Sequence, residues 1–320
     1  MYTLGIDLGG TNIAAGLCDE NLNLIDKASV PTVTTDGAER VARDMAGVCQ
    51  KLLDRHGLTV KDIDSVGIAS PGSVNGDTGV VEYANNLPFR DFPIAEEVKK
   101  HLPVERVFVA NDANAAALGE ALAGSAKGAD SAVMVTLGTG VGSGIILGGK
   151  IFAGGMNFAG AEIGHTVIVA GGRQCSCGRR GCWECYCSAT ALTRATEEKM
   201  HELTLLGVPS LLFDEAKREG KVSARTAFNA MRRGDEHAKG LVDEYIRYLA
   251  IGLGNIVNVF QPEIISIGGG VSNEGENLVG PLRELVRLEQ YTRNQPKISK
   301  LVTATLGNDA GIIGAAGLGR

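Results

Sequence analysis

A short meander of strands joined by glycine-rich turns occurs twice in this chain, and that repetition limits the folds available to it. The first set has three apolar segments joined by tight turns, at 2–8, 12–18 and 24–30. A second set begins at 131–137 and again turns through glycines, and each set is followed by helices and further strands. The duplicated layout predicts an α/β fold of two related lobes with a cleft between them, where ligands commonly bind.

Apolar periodicity places the other elements. The strongest helical pattern runs over about 235–260, and a second covers 38–55. Further helices are predicted near 94–101, from just after Asp112 to about Ala123, and at 309–319. Further strands are predicted at 63–69, 107–110, 141–147, 150–152, 263–268 and 301–305. We expect a smaller lobe over 1–122, completed by the C-terminal helix in 306–320, and a larger lobe over 123–305 that contains most of the cysteines.

The composition argues against several classes of partner. The 320 residues suffice for two ordinary domains, and a 44% share of hydrophobic residues supplies a sizeable core. A net charge of −6 argues against a nucleic-acid or anionic-membrane surface. No apolar run has transmembrane length, and the N-terminus lacks the pattern of a secretory signal. We therefore expect a cytoplasmic protein with neither nucleic-acid nor membrane partners.

Two glycine loops follow apolar strands. In the first, Asp7-Leu-Gly9-Gly10-Thr11-Asn12, backbone N–H groups and Thr11 can hold phosphate, and Asp7 can hold Mg²⁺ through water. A plain hairpin turn is the alternative. The second, Gly138-Thr139-Gly140, resembles the first, and together the loops would clamp a polyphosphate from both sides. A third glycine run, Gly268-Gly269-Gly270, could receive a nucleotide base or ribose but is weak by itself.

Two other nucleotide motifs are excluded by their residues. The stretch from Gly144 to Lys150 matches most of a P-loop, but Ile151 replaces the required Ser or Thr and the context is a strand and a turn. No Gly-x-Gly-x-x-Gly occurs, so a Rossmann dinucleotide site lacks its fingerprint.

Asn111 and Asp112 lie at a predicted strand-to-helix junction. Asn and Asp are preferred there as N-cap residues, which is the commoner explanation. In the functional interpretation Asp112 is a general base that takes a hydroxyl proton, while Asn111 orients the same substrate.

Five of the seven cysteines lie within 175–187, ten residues after His165. Crowded thiolates with turn-forming glycines and one imidazole are typical of a tetrahedral zinc site. We expect Cys175, Cys177, Cys182 and His165 to be its ligands, although a buried structural histidine is the usual alternative. Glu162 and Glu184 flank the cluster, so it could organise an active site.

These motifs, in this order, resemble the ROK family of sugar kinases within the actin-like ATPase superfamily. The likeness covers essentially the whole chain, and its cysteine motif is highly specific. It implies a ribonuclease H-like α/β fold of two lobes with an active-site cleft. It further implies ATP-dependent phosphorylation of a hexose at the 6-hydroxyl, with glucose as the favoured hexose. It also implies Mg²⁺ with ATP, a structural Zn²⁺ and a homodimer or homotetramer.

The resemblance also assigns roles to residues. Asp112 would be the base, and the sugar ring would be bound by Asn111, Asp112, Glu162, His165 and Glu184, helped by Ser70, Gly72 and Asn85 or Asn86. ATP would be held by Asp7, Gly9, Gly10, Thr11, Asn12, Gly138, Thr139 and Gly140, with Gly269 and Gly270 near the adenosine. Zinc would be held by His165, Cys175, Cys177 and Cys182.

One departure and two alternative functions stay open. Cys185 and Cys187 stand where the family usually has small or apolar residues, and Cys182-x-x-Cys185 is itself ligand-like. We favour His165 as the fourth ligand and packing roles for Cys185 and Cys187. The substrate could instead be N-acetylglucosamine, N-acetylmannosamine, fructose or allose. A sugar-sensing regulator of the same family is less favoured, because the first strand begins at residue 2 and leaves no room for a helix-turn-helix domain.

Overall fold

The computed structural model of the chain describes residues 1–156 and 158–320 and divides into two compact units. Unit 1 consists of Met1–Met134, Gly144–Ala161 and Ala304–Arg320, and unit 2 of Val135–Ser143 and Glu162–Thr303. Among the described residues, no helix is both long and apolar enough to cross a membrane.

Strands and helices follow one another in groups along the chain. The strands are β1 (Tyr2–Leu8), β2 (Asn12–Cys18), β3 (Leu24–Pro31), β4 (Ile63–Ser70), β5 (Ser73–Asn75), β6 (Val80–Tyr83), β7 (Arg90–Phe92), β8 (Val107–Asn111), β9 (Ser131–Leu137), β10 (Val141–Leu147), β11 (Lys150–Ile151), β12 (Ile264–Gly268) and β13 (Lys300–Thr303). The helices are α1 (Ala38–His56), α2 (Ile94–His101), α3 (Asp112–Ala123), α4 (Glu184–Cys187), α5 (Ala189–Leu206), α6 (Leu211–Glu219), α7 (Ala224–Arg232), α8 (Glu236–Phe260), α9 (Glu276–Glu289) and α10 (Ala310–Ala316).

The first sheet has the order β3-β2-β1-β4-β8. Strands β1 to β3 form the predicted antiparallel meander, and β4 and β8 continue the sheet in parallel. Successive side chains of a strand point to opposite faces. Leu4 and Ile6 of β1 share one buried cluster with Val41 and Met45 of α1, which supplies the core on that face.

The opposite face of β1 lies against α10. A Cβ atom at Gly5 would collide with the backbone of Ile312, and one at Gly67 of β4 with the backbone of Ala315. These two glycines pair with each other across β1 and β4, so together they let α10 approach the sheet closely. Asp7, two residues after Gly5, faces the same way and packs on Gly311.

The second sheet repeats the pattern, with the order β11-β10-β9-β12-β13. Strands β10 and β11 are antiparallel, whereas β12 and β13 are parallel. The predicted duplication is therefore confirmed. The stretch from Gly144 to Lys150 is a strand and a turn, as predicted, because Gly148 and Gly149 form the turn of a β-hairpin.

Several elements were missed by the sequence analysis. Strands β5, β6 and β7 form a separate antiparallel sheet, and none is longer than four residues. Such short strands carry almost no periodic signal. Helix α9 was missed because it contains Pro281, a residue that usually ends a helix.

Candidate functional site

Two acidic side chains of unit 1, Asp7 and Asp112, lie at the ends of adjoining elements. Asp7 is the penultimate residue of β1 and Asp112 is the first residue of α3. Burial, reinforced by the charge of Asp112, raises the pKa of Asp7 from 3.8 to about 6. Burial also raises the pKa of Asp112, against the effect of the hydrogen bond from the Ala113 N–H. Two partly buried carboxylates that repel each other can be stabilised by a shared cation, for which Mg²⁺ with its oxygen preference is suited.

The first glycine loop connects β1 to β2 beside Asp7. Gly9 N–H donates to the Asn12 carbonyl at 2.8 Å, and the Thr32 hydroxyl donates to the Gly9 carbonyl at 2.8 Å. The backbone of this loop is therefore a hairpin turn, which is the conformation that the sequence analysis gave as the alternative. Gly10, Thr11 and Asn12 are exposed on it, so this turn presents polar groups to solvent.

Asn111 is the N-cap of α3, as capping statistics predict. Its Oδ1 accepts from the N–H of Ala113 at 2.9 Å and of Asn114 at 3.3 Å, while its Nδ2 donates to the Gly72 carbonyl at 3.1 Å. Gly72 has a φ of 101°, and a Cβ there would collide with the Tyr83 carbonyl. The amide therefore orients both the helix that starts with Asp112 and the turn after β4.

The remaining sugar-site candidates of unit 1 lie around the same turn. Ser70 is fully buried at the end of β4, where it pairs with Asn111 in the strand register. The Tyr83 hydroxyl donates to Asn85 Oδ1 at 2.6 Å. Asn86 lies next to Gly10, where a Cβ atom would be 3.7 Å from Asn86 Cβ. Both asparagines are exposed.

In unit 2, the four expected metal ligands meet. One ligand atom from each of His165, Cys175, Cys177 and Cys182 lies within 4.8 Å of the others. Cys175 Sγ is 3.6 Å from His165 Nδ1, and Cys177 Sγ is 3.7 Å from Cys182 Sγ. Tetrahedral zinc with S and N ligands would require separations of about 3.8 Å for S···S and about 3.6 Å for S···N. The donor set and its spacing therefore fit a zinc ion.

The two surplus thiols differ from this set. Cys185 and Cys187 are buried, and the cluster of potential ligands in the described chain does not include them. Cys185 Sγ donates instead to the Gln174 carbonyl at 3.5 Å. Buried thiols can pack like small hydrophobic side chains, which stays the prediction for both residues.

The cysteine-rich segment is anchored to α8 by Trp183. This indole is fully buried, packs directly on Gly252 and donates its N–H to the Tyr248 carbonyl at 3.1 Å. Two isolated β-bridges, Val167 with Cys182 and Gln174 with Arg180, hold the segment on itself. The segment that carries the ligands is therefore held in place by backbone bridges and by the packing of Trp183.

Glu184 connects this segment to the second glycine loop. Its Oε2 accepts from the Val141 N–H at 3.1 Å, and Oε1 lies 3.9 Å from Cys175 Sγ. The Ala189 N–H donates to the Gly138 carbonyl at 2.8 Å. Glu162 is exposed just before the short 3-10 turn Ile163–His165, and its carbonyl accepts from the His165 N–H at 3.1 Å.

The loop and the cysteine-rich segment border a cavity of about 390 Å³. Thr139, Gly140 and Glu184 line it as expected candidates. Further polar residues that carry no motif in the sequence also line it, namely Gln174, Ser176, Ser188, Thr190 and Arg194. The sequence does place Ser188 before an apolar helical run, a pattern that predicts an N-cap. Ser188 caps α5 in the structure.

The third glycine run, Gly268-Gly269-Gly270, packs against the residue that precedes the second glycine loop. Gly269 has a φ of 82°, and a Cβ there would collide with the backbone of Leu137. Gly269 and Gly270 are exposed at the end of β12. Unit 2 thus brings Gly269 next to the residue that precedes Gly138.

The profile of the ROK family matches residues 3–320. The chain belongs to the ROK family. The ROK chain is 37% identical to a glucokinase of Halalkalibacterium halodurans, over 99% of this chain and 94% of that one. It is 37% identical to a glucokinase of Thermotoga maritima, over 98% and 96% of the respective chains. A ROK glucokinase from Streptomyces griseus, solved in complex with glucose and AMPPNP, superposes with a TM-score of 0.78 at 32% identity and 99% coverage of both chains.

Proposed function

We propose that this ROK protein is a glucokinase, which transfers the terminal phosphoryl group of ATP to the 6-hydroxyl of glucose. The observation that carries the proposal is the pair of partly buried carboxylates, Asp7 and Asp112, in a chain whose full-length relatives are glucokinases. Phosphoryl transfer needs positioning, neutralisation of phosphate charge and a base aimed at the attacking oxygen. Asp112 can supply the base, and Asp7 can hold the Mg²⁺ that neutralises the phosphate charge.

Asp112 is the general base in this proposal. Burial raises its pKa, which makes the carboxylate a better proton acceptor than an exposed aspartate. Asn111 supports it, because the cap holds the first turn of α3 and the same amide holds the turn at Gly72. Asp7 would hold the Mg²⁺ that accompanies ATP, which neutralises charge on the phosphates.

The glycine loops supply the nucleotide site. Gly9, Gly10, Thr11 and Asn12 would contact ATP phosphates from unit 1, and Gly138, Thr139 and Gly140 from unit 2, while Gly269 and Gly270 would lie near the adenosine. Backbone N–H groups of such loops bind phosphate without adding charged side chains. The cavity lined by Thr139 and Gly140 supports the assignment for unit 2.

The sugar would be bound by a set of side chains that together donate hydrogen bonds, from Ser, Asn and His, and accept them, from carboxylates as well. In unit 1 these are Ser70, Asn85, Asn86, Asn111 and Asp112, with the backbone of Gly72; in unit 2 they are Glu162, His165 and Glu184. A hexose with several hydroxyls requires such mixed partners, since an unpaired buried hydroxyl is costly.

A structural Zn²⁺ would be held by His165, Cys175, Cys177 and Cys182. When bound, the ion would cross-link the turn-rich segment that runs from His165 to Cys182. His165 would use one ring nitrogen for the metal, which leaves the other for a sugar hydroxyl. We further propose a cytoplasmic location, where reduced thiols persist, and a homodimer or homotetramer.

The decisive experiment is a sugar panel with the purified protein, ATP and Mg²⁺. Glucose should give ADP release and the highest kcat/KM among glucose, N-acetylglucosamine, N-acetylmannosamine, fructose and allose. Asp112→Asn prepared in parallel controls for a contaminating kinase. Turnover with none of these sugars would reject kinase function, and a higher kcat/KM for another hexose would reject glucose as the preferred substrate.

A further inference from the structure

Glu184 touches both the metal cluster and the second glycine loop. We infer that Glu184 is a positioning residue whose carboxylate couples sugar binding to the nucleotide loop, and that Gly140 is glycine because the carboxylate occupies the space of a Cβ. This inference rests on the proposed function, in which Glu184 binds the sugar and Gly138–Gly140 bind ATP.

First, residues 184–189 are hydrogen-bonded to both ends of the second glycine loop. The carboxylate accepts the Val141 N–H at 3.1 Å, just after the loop, and the Ala189 N–H donates to the Gly138 carbonyl at 2.8 Å, where the loop begins. Both ends of the loop are therefore bonded to residues within one short stretch, Glu184–Ala189. The two segments cannot move independently without losing these bonds.

The second step is the reason for glycine at position 140. Neither Gly138 nor Gly140 has a φ in the left-handed region, so neither needs to be glycine for backbone conformation. A Cβ at Gly138 would meet nothing within 4 Å, whereas one at Gly140 would overlap Glu184 Oε2. The loop therefore needs glycine at 140 to leave room for this carboxylate.

The third step is the consequence of a side chain there. The overlapping atom is the far end of a flexible side chain, so Gly140→Ala should be accommodated by moving the carboxylate rather than by unfolding the protein. Moving it breaks the bond to Val141 and withdraws the acceptor from the sugar. A substitution in the nucleotide loop should thus weaken sugar binding even when no nucleotide is present.

The test compares Gly140→Ala with the control Gly240→Ala in the full-length protein, because Gly240 is exposed in α8 and a Cβ there would meet nothing within 4 Å. Glucose affinity is measured by calorimetry without nucleotide, with melting temperature and metal content as checks on folding. Gly140→Ala should weaken glucose binding by about 10-fold or more, the loss expected for one hydrogen bond to a charged group. Gly240→Ala should stay within about 2-fold of the unmodified protein, a change of less than about 0.5 kcal/mol.

The outcomes separate this inference from the proposed function. If the unmodified protein does not bind glucose, the proposed function fails. If it binds glucose but Gly140→Ala binds as tightly as Gly240→Ala, the coupling is overturned. Should Gly140→Ala fail to fold, Glu184→Asp replaces it, because the shorter side chain cannot reach Val141. Weaker AMPPNP binding by that variant without sugar would then support the coupling, and unchanged AMPPNP affinity would overturn it.

Discussion

Asp7 should make the protein less stable at neutral pH, and Asp7→Asn should therefore stabilise it. The pKa of this carboxyl is raised from 3.8 to about 6, first by burial and then by the charge of Asp112. The folded protein consequently binds the proton more tightly than the unfolded chain does. The resulting stabilisation is fully present below pH 3.8 and is lost as the pH rises through about 6.

The magnitude follows from the two pKa values. The shift of about 2 units corresponds to a penalty on the order of 3 kcal/mol at pH 8, and linkage reduces it to about 1.5 kcal/mol at pH 5. Asn has nearly the same shape and does not ionise, so the variant avoids the penalty. Its advantage over the unmodified protein should roughly double between these two pH values. For a chain of 320 residues this amounts to about 2 °C in melting temperature at pH 5 and about 4–5 °C at pH 8.

The assay is thermal unfolding of both proteins at pH 5, 6.5 and 8, without nucleotide or Mg²⁺. Asp19→Asn is the matched control, because it makes the same chemical change at an exposed aspartate. Hydrogen bonds from the side chain and backbone of Asn23 lower the pKa of Asp19, so its replacement should destabilise the protein at neutral pH. An Asp7→Asn variant that is no more stable than the unmodified protein at pH 8, or whose advantage does not grow from pH 5, would contradict the raised pKa of Asp7.

A stability penalty of this kind is expected where a charge serves a ligand. Functional sites commonly keep residues that would be replaced if stability alone were selected. Adding Mg²⁺ and ATP should raise the melting temperature of the unmodified protein and do so much less for Asp7→Asn. The same variant should have lost most of its kinase activity.

Three further predictions concern other residues. Asp112→Asn should lower kcat by about 10²-fold or more while glucose affinity by calorimetry stays within a few-fold, and substantial residual turnover would exclude Asp112 as the base. Metal analysis should find about one zinc per chain, lost in Cys182→Ser but kept in Cys187→Ser; a metal-free, active protein would contradict the site. The buried Glu120 carboxylate accepts from the N–H groups of Ser125, Thr305 and Leu306, so Glu120→Gln should cost about 2–3 kcal/mol in urea unfolding, whereas the exposed Glu20→Gln should cost almost nothing. Equal stability of these two variants would contradict the role of Glu120.

Local patterns predicted the elements well. The meander strands were predicted to within one residue, because each is a short apolar run between turn residues. The ligand cluster was also predictable, since three of its members lie within eight residues and the segment has few ways to fold. The termini were less accurate: the last helix was predicted over 309–319, but it covers Ala310–Ala316.

Contacts between distant segments were not predictable in the same way. The interaction of Asp7 with Asp112 joins residues more than a hundred positions apart, and that of Glu184 with Gly140 joins residues 44 positions apart. Sequence periodicity shows which face of an element is buried, but not which partner covers it. The sequence marked all four residues as candidates, while the reason that position 140 is glycine came only from the structure.

The two interpretations of Asn111 turn out to be compatible. As an N-cap it satisfies the first N–H groups of α3, and the same amide donates to the Gly72 carbonyl. The cap fixes Asp112 as the first residue of the helix, where the helix N-terminus favours the charged carboxylate while burial favours the protonated one. Burial prevails, since the pKa of Asp112 is raised. Replacing Asn111 by Ser should preserve the cap and remove the bond to Gly72, so a loss of sugar affinity without a loss of stability would separate the two roles.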